Sequence, residues 1–98
     1  MPYIDEKMRY ELDNLIDELV DRLKVEYTEA TPGRLNYVIT RLLASTYDID
    51  KDPRYGKIND IVGVLECAKL EFYARIARPY EDLKIKQNSD VKEYGGWG

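Results

Sequence analysis

Apolar residues recur every three or four positions through the first quarter of the chain. This spacing is that of one face of an α-helix. Polar and mostly acidic residues fill the intervening positions, so the opposite face should be solvated and negatively charged. The pattern predicts a helix over about residues 5–25. Its apolar face consists of Ile4, Met8, Leu12, Leu15, Ile16, Leu19, Val20 and Leu23.

A second apolar stripe follows a helix-start signal. Thr31 can cap the free amides at a helix start, and Pro32 suits the first turn because its missing N–H costs nothing there. A helix is therefore predicted over about residues 32–46. Its apolar stripe consists of Leu35, Val38, Ile39, Leu42 and Leu43, and its polar face carries Arg34, Asn36, Tyr37, Thr40, Arg41 and Ser45.

The third predicted helix, residues 57–78, is apolar almost all round, which is typical of a central helix or of one shared with another subunit. Pro79 is expected to end it, and residues 79–98 are expected to form an extended C-terminal tail of the same single domain as residues 1–78. The predicted fold is therefore an all-α three-helix bundle that assembles as a homo-oligomer.

Between the second and third helices, residues 47–56 form a predicted loop with spaced aspartates. Asp48, Asp50 and Asp52 take positions one, three and five of an EF-hand calcium loop. However, Pro53 stands where that loop needs glycine, and Asn59 stands where it needs a bidentate glutamate. A solvated turn is therefore the preferred interpretation.

The net charge and the counts of histidine and cysteine exclude several classes of function. The 98 residues carry a net charge of −4, which argues against non-specific nucleic-acid binding. The chain has no histidine and a single cysteine, Cys67, so Ser–His and Cys–His nucleophile pairs and the common zinc sites are excluded. We predict no catalytic residue, no metal ligand and no cofactor. No apolar run is long enough to span a bilayer, so a cytoplasmic protein without a membrane partner is expected.

One enzymatic alternative stays open. All-α nucleotide pyrophosphohydrolases bind magnesium with carboxylates one turn apart on two helices. Glu18 and Asp21 have this spacing, but the corresponding positions after Glu66 and Glu71 are Lys69 and Ala74. Because half of the motif is missing, we prefer to interpret Glu18 and Asp21 as part of a solvated helix face.

The strongest candidate for a binding site is a polar face in the second and third helices. Glu66 lies within an otherwise apolar run, where a carboxylate should be paired or should face a cleft. Arginine and lysine could hold a phosphate there, and tyrosine could stack on a base. Alternatively, Glu66 forms a salt bridge that fixes helix register or subunit pairing. The candidate ligand-binding residues are Arg34, Asn36, Tyr37, Arg41, Asn59, Glu66, Lys69 and Tyr73.

Four segments also carry a family resemblance: residues 1–4, 35–43, 61–77 and 79–82. The helix GVLECAKLEFY followed by PYED resembles a family of small uncharacterised proteins met in phage and bacterial genomes. The resemblance covers most of the chain outside the 47–56 loop and the last residues. It implies no activity, only the setting of a small, phage-encoded accessory protein. Where that family tends to carry Asn-Gly-Asp, this chain has Asn88-Ser89-Asp90.

The preferred functional hypothesis is a non-enzymatic homo-oligomer that sequesters a small anionic or nucleotide-like ligand, or a host protein. The alternatives are a diverged all-α pyrophosphohydrolase and a purely structural or adaptor oligomer.

Overall fold

The computed structural model describes residues 4–24 and 26–95, and the regular elements in these ranges are helical. The α-helices are α1 (Glu6–Leu23), α2 (Thr31–Thr46), α3 (Tyr55–Phe72) and α4 (Arg78–Asn88). A π segment, Tyr73–Ala77, follows α3, and a 3₁₀ turn, Lys92–Tyr94, follows α4. The all-α prediction is confirmed, and α1 and α2 closely match the bounds expected from the periodicity.

The first two helices begin in different ways. Asp5 caps α1, because its Oδ1 accepts a hydrogen bond of 3.0 Å from the Met8 amide. In α2 the N-cap position is Ala30, which provides no side-chain cap. Thr31 is already helical, and its Oγ1 accepts from the Thr28 amide at 3.0 Å. The capping role expected of Thr31 is therefore wrong, since its hydroxyl stabilises the preceding turn instead.

The expected extended tail is also wrong, because residues 78–88 are helical. Pro79 lies in the first turn of α4, where it needs no hydrogen-bond partner, so it starts a helix rather than ending one. Within α4, Arg78 Nε lies 3.3 Å from Asp82 Oδ1, and Lys84 Nζ lies 5.5 Å from the centre of the Tyr80 ring. Both pairs are spaced i,i+4 and stabilise a short helix.

Contacts divide the chain into one unit of residues 1–59 and another of residues 60–98. In the first unit α1 packs on α2, and in the second the π segment packs on α4. Leu23, Val38 and Leu43 are half-buried, but none of the described residues is fully buried. The three-helix bundle and the homo-oligomer therefore stay predictions. No helix within the described ranges has both the length and the hydropathy of a membrane span.

Candidate functional site

A groove of about 430 Å³ lies against α2 in the first unit. This volume falls within the range of roughly 300–1,000 Å³ that is typical of small-ligand sites. Leu19 of α1 contributes to one side. The remaining lining belongs to the second half of α2 and consists of Tyr37, Val38, Arg41, Leu42, Ser45 and Thr46.

The lining residues of α2 form two adjacent rows because side chains four positions apart stack along one helix face. One row is polar and runs through Tyr37, Arg41 and Ser45. The other begins with the apolar side chains of Val38 and Leu42. The groove therefore offers an aromatic ring, a guanidinium group and a hydroxyl beside an apolar wall.

The groove is positively charged. Arg41 is the one charged side chain in its described lining, which contains no acidic residue. Within the described ranges, Arg41 forms no ion pair. Thr46 Oγ1 lies 2.6 Å from the Leu42 carbonyl oxygen and donates to it, so its proton is already engaged. Arg41, Ser45 and the Tyr37 hydroxyl are therefore the donors that a bound anion would meet.

Two other predicted site residues of the first unit make local contacts away from this lining. Arg34 Nη2 donates to the main-chain oxygen of Arg22 at 2.8 Å, which joins the start of α2 to the end of α1. Asn36 Oδ1 accepts from Thr40 Oγ1 at 3.4 Å on the surface of α2. Asn59 lies exposed in α3. Of the predicted polar face, Tyr37 and Arg41 are thus the members that the groove brings together.

In the second unit, Glu66 is exposed rather than buried. Its Oε1 lies 3.1 Å from Lys69 Nζ, one turn further along α3. An exposed pair at this spacing contributes only about 0.3–0.5 kcal/mol to helix stability. The apolar run that surrounds Glu66 in sequence is therefore no sign of an enclosed carboxylate, because that part of α3 is open to solvent.

Tyr73, the last of the predicted site residues, contacts α4. Its hydroxyl donates a hydrogen bond to the Glu81 carboxylate, and this bond, with the negative charge of Glu81, raises the pKa of the Tyr73 phenol. Slight desolvation raises the pKa further, and the positive charge of Arg78 opposes the change. Tyr73 is the first residue of the π segment, so the bond spans the junction of α3 and α4.

One aspartate of the 47–56 loop, Asp52, forms ion pairs with basic side chains of the protein itself. Asp52 Oδ2 lies 3.0 Å from Arg54 Nε and 3.4 Å from Lys57 Nζ. Glu18 and Asp21 lie exposed on α1. In the part of the chain that the structure describes, no group of three His, Cys, Asp or Glu side chains is placed to hold a metal ion.

Sequence reasoning missed most of the groove lining. It placed Leu42 and Val38 in the apolar stripe and Ser45 on the polar face of the second helix, and it did not place Leu19 opposite them. The spacing of these residues could have indicated the groove. Tyr37, Arg41 and Ser45 are four residues apart and form a polar row on α2, and the adjacent apolar row begins at Val38.

Comparison with known proteins adds a family but no activity. The model of a domain of unknown function, DUF6899, matches residues 1–91. The chain belongs to the DUF6899 family. No curated protein and no solved structure matches it. Kinship with an uncharacterised family is therefore confirmed. The chemistry of the groove is the basis for the function proposed for this DUF6899 protein.

Proposed function

We propose that this DUF6899 protein is a non-enzymatic, homo-oligomeric binding protein that holds a small anionic, nucleotide-like ligand in the groove between α1 and α2. The observation that carries the proposal is the position of Arg41. It lies one helical turn from Tyr37, at a groove of ligand size, without a carboxylate partner among the described residues.

The groove chemistry suits a phosphate attached to a planar ring. The guanidinium of Arg41 offers parallel donors that match two phosphate oxygens. The Tyr37 ring offers a face on which a base can stack, and such stacking is tolerant of base identity. The hydroxyl of Ser45 adds a neutral donor, and Leu19 and Leu42 exclude water from one side of the ligand.

Self-association is supported by apolar side chains that stay exposed. Leu15 of α1 is 66% exposed and Val62 of α3 is 59% exposed. A chain of 98 residues can bury only a modest core by itself. Exposed apolar faces of this kind mark interaction surfaces, and further copies of the chain would cover them. The phage or bacterial setting and a cytoplasmic location are parts of the proposal that rest on sequence alone.

Calorimetric titration with ADP, which carries a base and a diphosphate, tests the binding site. Arg41→Ala is expected to weaken ADP binding about tenfold or more, since one charge-assisted hydrogen bond contributes roughly 1.5–3 kcal/mol. Arg54→Ala is the matched control, because it removes the same side chain from a loop position outside the groove. Equal ADP affinity in the wild type and Arg41→Ala would contradict the proposed site.

A further inference from the structure

Helix α3 carries an apolar seam with alternating spacings of three and four residues. Such spacing is the signature of a helix that packs along its length against a second helix. Leu65 at the middle of the seam is 40% exposed, and Phe72 at its end is 64% exposed. The seam consists of Ile58, Ile61, Leu65, Ala68 and Phe72.

The seam is complementary to itself when two α3 helices run antiparallel. A two-fold axis at the height of position 63, on the helix face opposite Gly63, places seam residues at equal distances from that position opposite one another. On the two flanks, the pairs are centred one position to either side. Ile61 then faces Leu65 of the second copy, and Ile58 faces Ala68 of the second copy. A two-fold interface repeats each of these contacts, so six large apolar side chains and two alanines form a continuous strip.

The residues that flank the seam fit the same register. On one flank Lys57 lies beside Glu71 of the second copy, and the two copies of Val64 meet near the axis. On the other flank Tyr55 lies beside Lys69 of the second copy, which places an ammonium near an aromatic ring. Lys57 and Glu71 already have intrachain partners, Asp52 and Arg75, so the second copy adds to these ion pairs.

A parallel pair of α3 helices lacks this complementarity. Its flanks would place Lys57 beside Val62 and Lys69 beside Val64, so each ammonium would face an apolar side chain. Charge pairing across the interface selects orientation in coiled coils. The positions of the charges on α3 therefore favour the antiparallel arrangement.

We propose that a second copy of the chain docks on α3 in this antiparallel register, burying the seam from Ile58 to Ala68. This inference rests on the homo-oligomer of the proposed function and assigns its interface. The ligand groove is lined by α1 and α2, whereas the proposed interface lies on α3, so separate variants can test the binding site and the interface.

Two leucine variants of the full-length protein test the seam, with molar mass measured by light scattering over a concentration series. Leu65→Lys places a charge within the seam and is expected to raise the dissociation constant at least 100-fold. Leu70→Lys makes the same change on the opposite side of α3, where the leucine is 56% exposed, and should leave the constant unchanged. Equal effects of the two variants would overturn the assignment of the interface.

Charge reversal tests the register with substitutions that leave the apolar seam intact. Lys57→Glu and Glu71→Lys should each weaken association several-fold, because each places like charges side by side. The double variant should restore wild-type association. Additive weakening in the double variant would overturn the antiparallel register. A monomeric wild-type protein would refute the proposed homo-oligomer itself, whereas an oligomer insensitive to Leu65→Lys would refute only the α3 interface.

Discussion

The side chain of Arg34, in the first turn of α2, hydrogen-bonds the main-chain oxygen of Arg22, in the last turn of α1, over 2.8 Å. The last carbonyl groups of a helix lack intrahelical partners and carry the negative end of the helix dipole. A guanidinium donates a hydrogen bond to such a carbonyl group, and its positive charge interacts favourably with the negative end of the dipole. Arg34 therefore links α1 to α2, whereas Arg41, two turns along the same helix, lines the groove.

Arg34→Ala is expected to lower the free energy of unfolding by about 1 kcal/mol, since the lost bond is charge-assisted but exposed to solvent. Urea denaturation followed by circular dichroism measures this change. Arg41→Ala, which loses no ion pair to the described residues, is the matched control and should unfold at the same urea concentration as the wild type. The reverse order of stabilities would contradict these roles of the two arginines.

Ser89 holds a backbone conformation that strongly favours glycine. It follows α4 with φ of 67° and ψ of 158°, a region that is costly for residues with a Cβ atom. Ser89→Gly should therefore stabilise the protein by about 1 kcal/mol, which thermal denaturation can measure. Ser89→Ala keeps the Cβ atom and should give no such gain. Equal melting temperatures for Ser89→Gly and the wild type would contradict the strain.

Gly63 lies within α3, where a glycine costs about 1 kcal/mol relative to alanine. A Cβ atom added at this position would meet nothing within 4 Å. Gly63→Ala should therefore stabilise α3 by roughly that amount without weakening association, because position 63 points away from the proposed seam. Stability and molar mass of the same variant can be measured together. Loss of the oligomer would show that another subunit approaches Gly63 closely.

The bond between Tyr73 and Glu81 gives a pH dependence with a defined direction. It requires the phenol proton, and it raises the pKa of Tyr73 above the ordinary value of 10.0. Its stabilisation is therefore complete below about pH 10 and is lost as pH rises through the raised pKa. Tyr73→Phe should be less stable than the wild type at pH 7, and the difference should vanish at strongly alkaline pH. A difference independent of pH in urea denaturation would contradict this.

The sequence predicts α1, α2 and most of α3 because their apolar residues repeat with the period of one helix face. It fails after residue 78, where an extended tail was expected, for a physical reason. Pro79 can either end one helix or begin the next, and the π segment that carries the backbone to it has no apolar period of its own. The i,i+4 pairs of Arg78 with Asp82 and of Tyr80 with Lys84 were the available signal for α4.

Part of the groove was predictable, since Tyr37 and Arg41 belong to the expected polar face of α2. Helical spacing alone does not say how far a long side chain reaches. Arg34 lies on the same helix, yet it extends to the end of α1 instead of the groove. Leu19 joins the groove lining through tertiary packing, which no local pattern in α1 encodes.

Native mass spectrometry of the full chain, purified gently from its expression host at low micromolar concentration, tests whether the protein is an oligomer that binds an anion at Arg41. We expect a homo-oligomer that carries additional mass matching a small anionic molecule, and this mass should be lost on denaturation or in Arg41→Ala. A monomer of 11.5 kDa without added mass would contradict it.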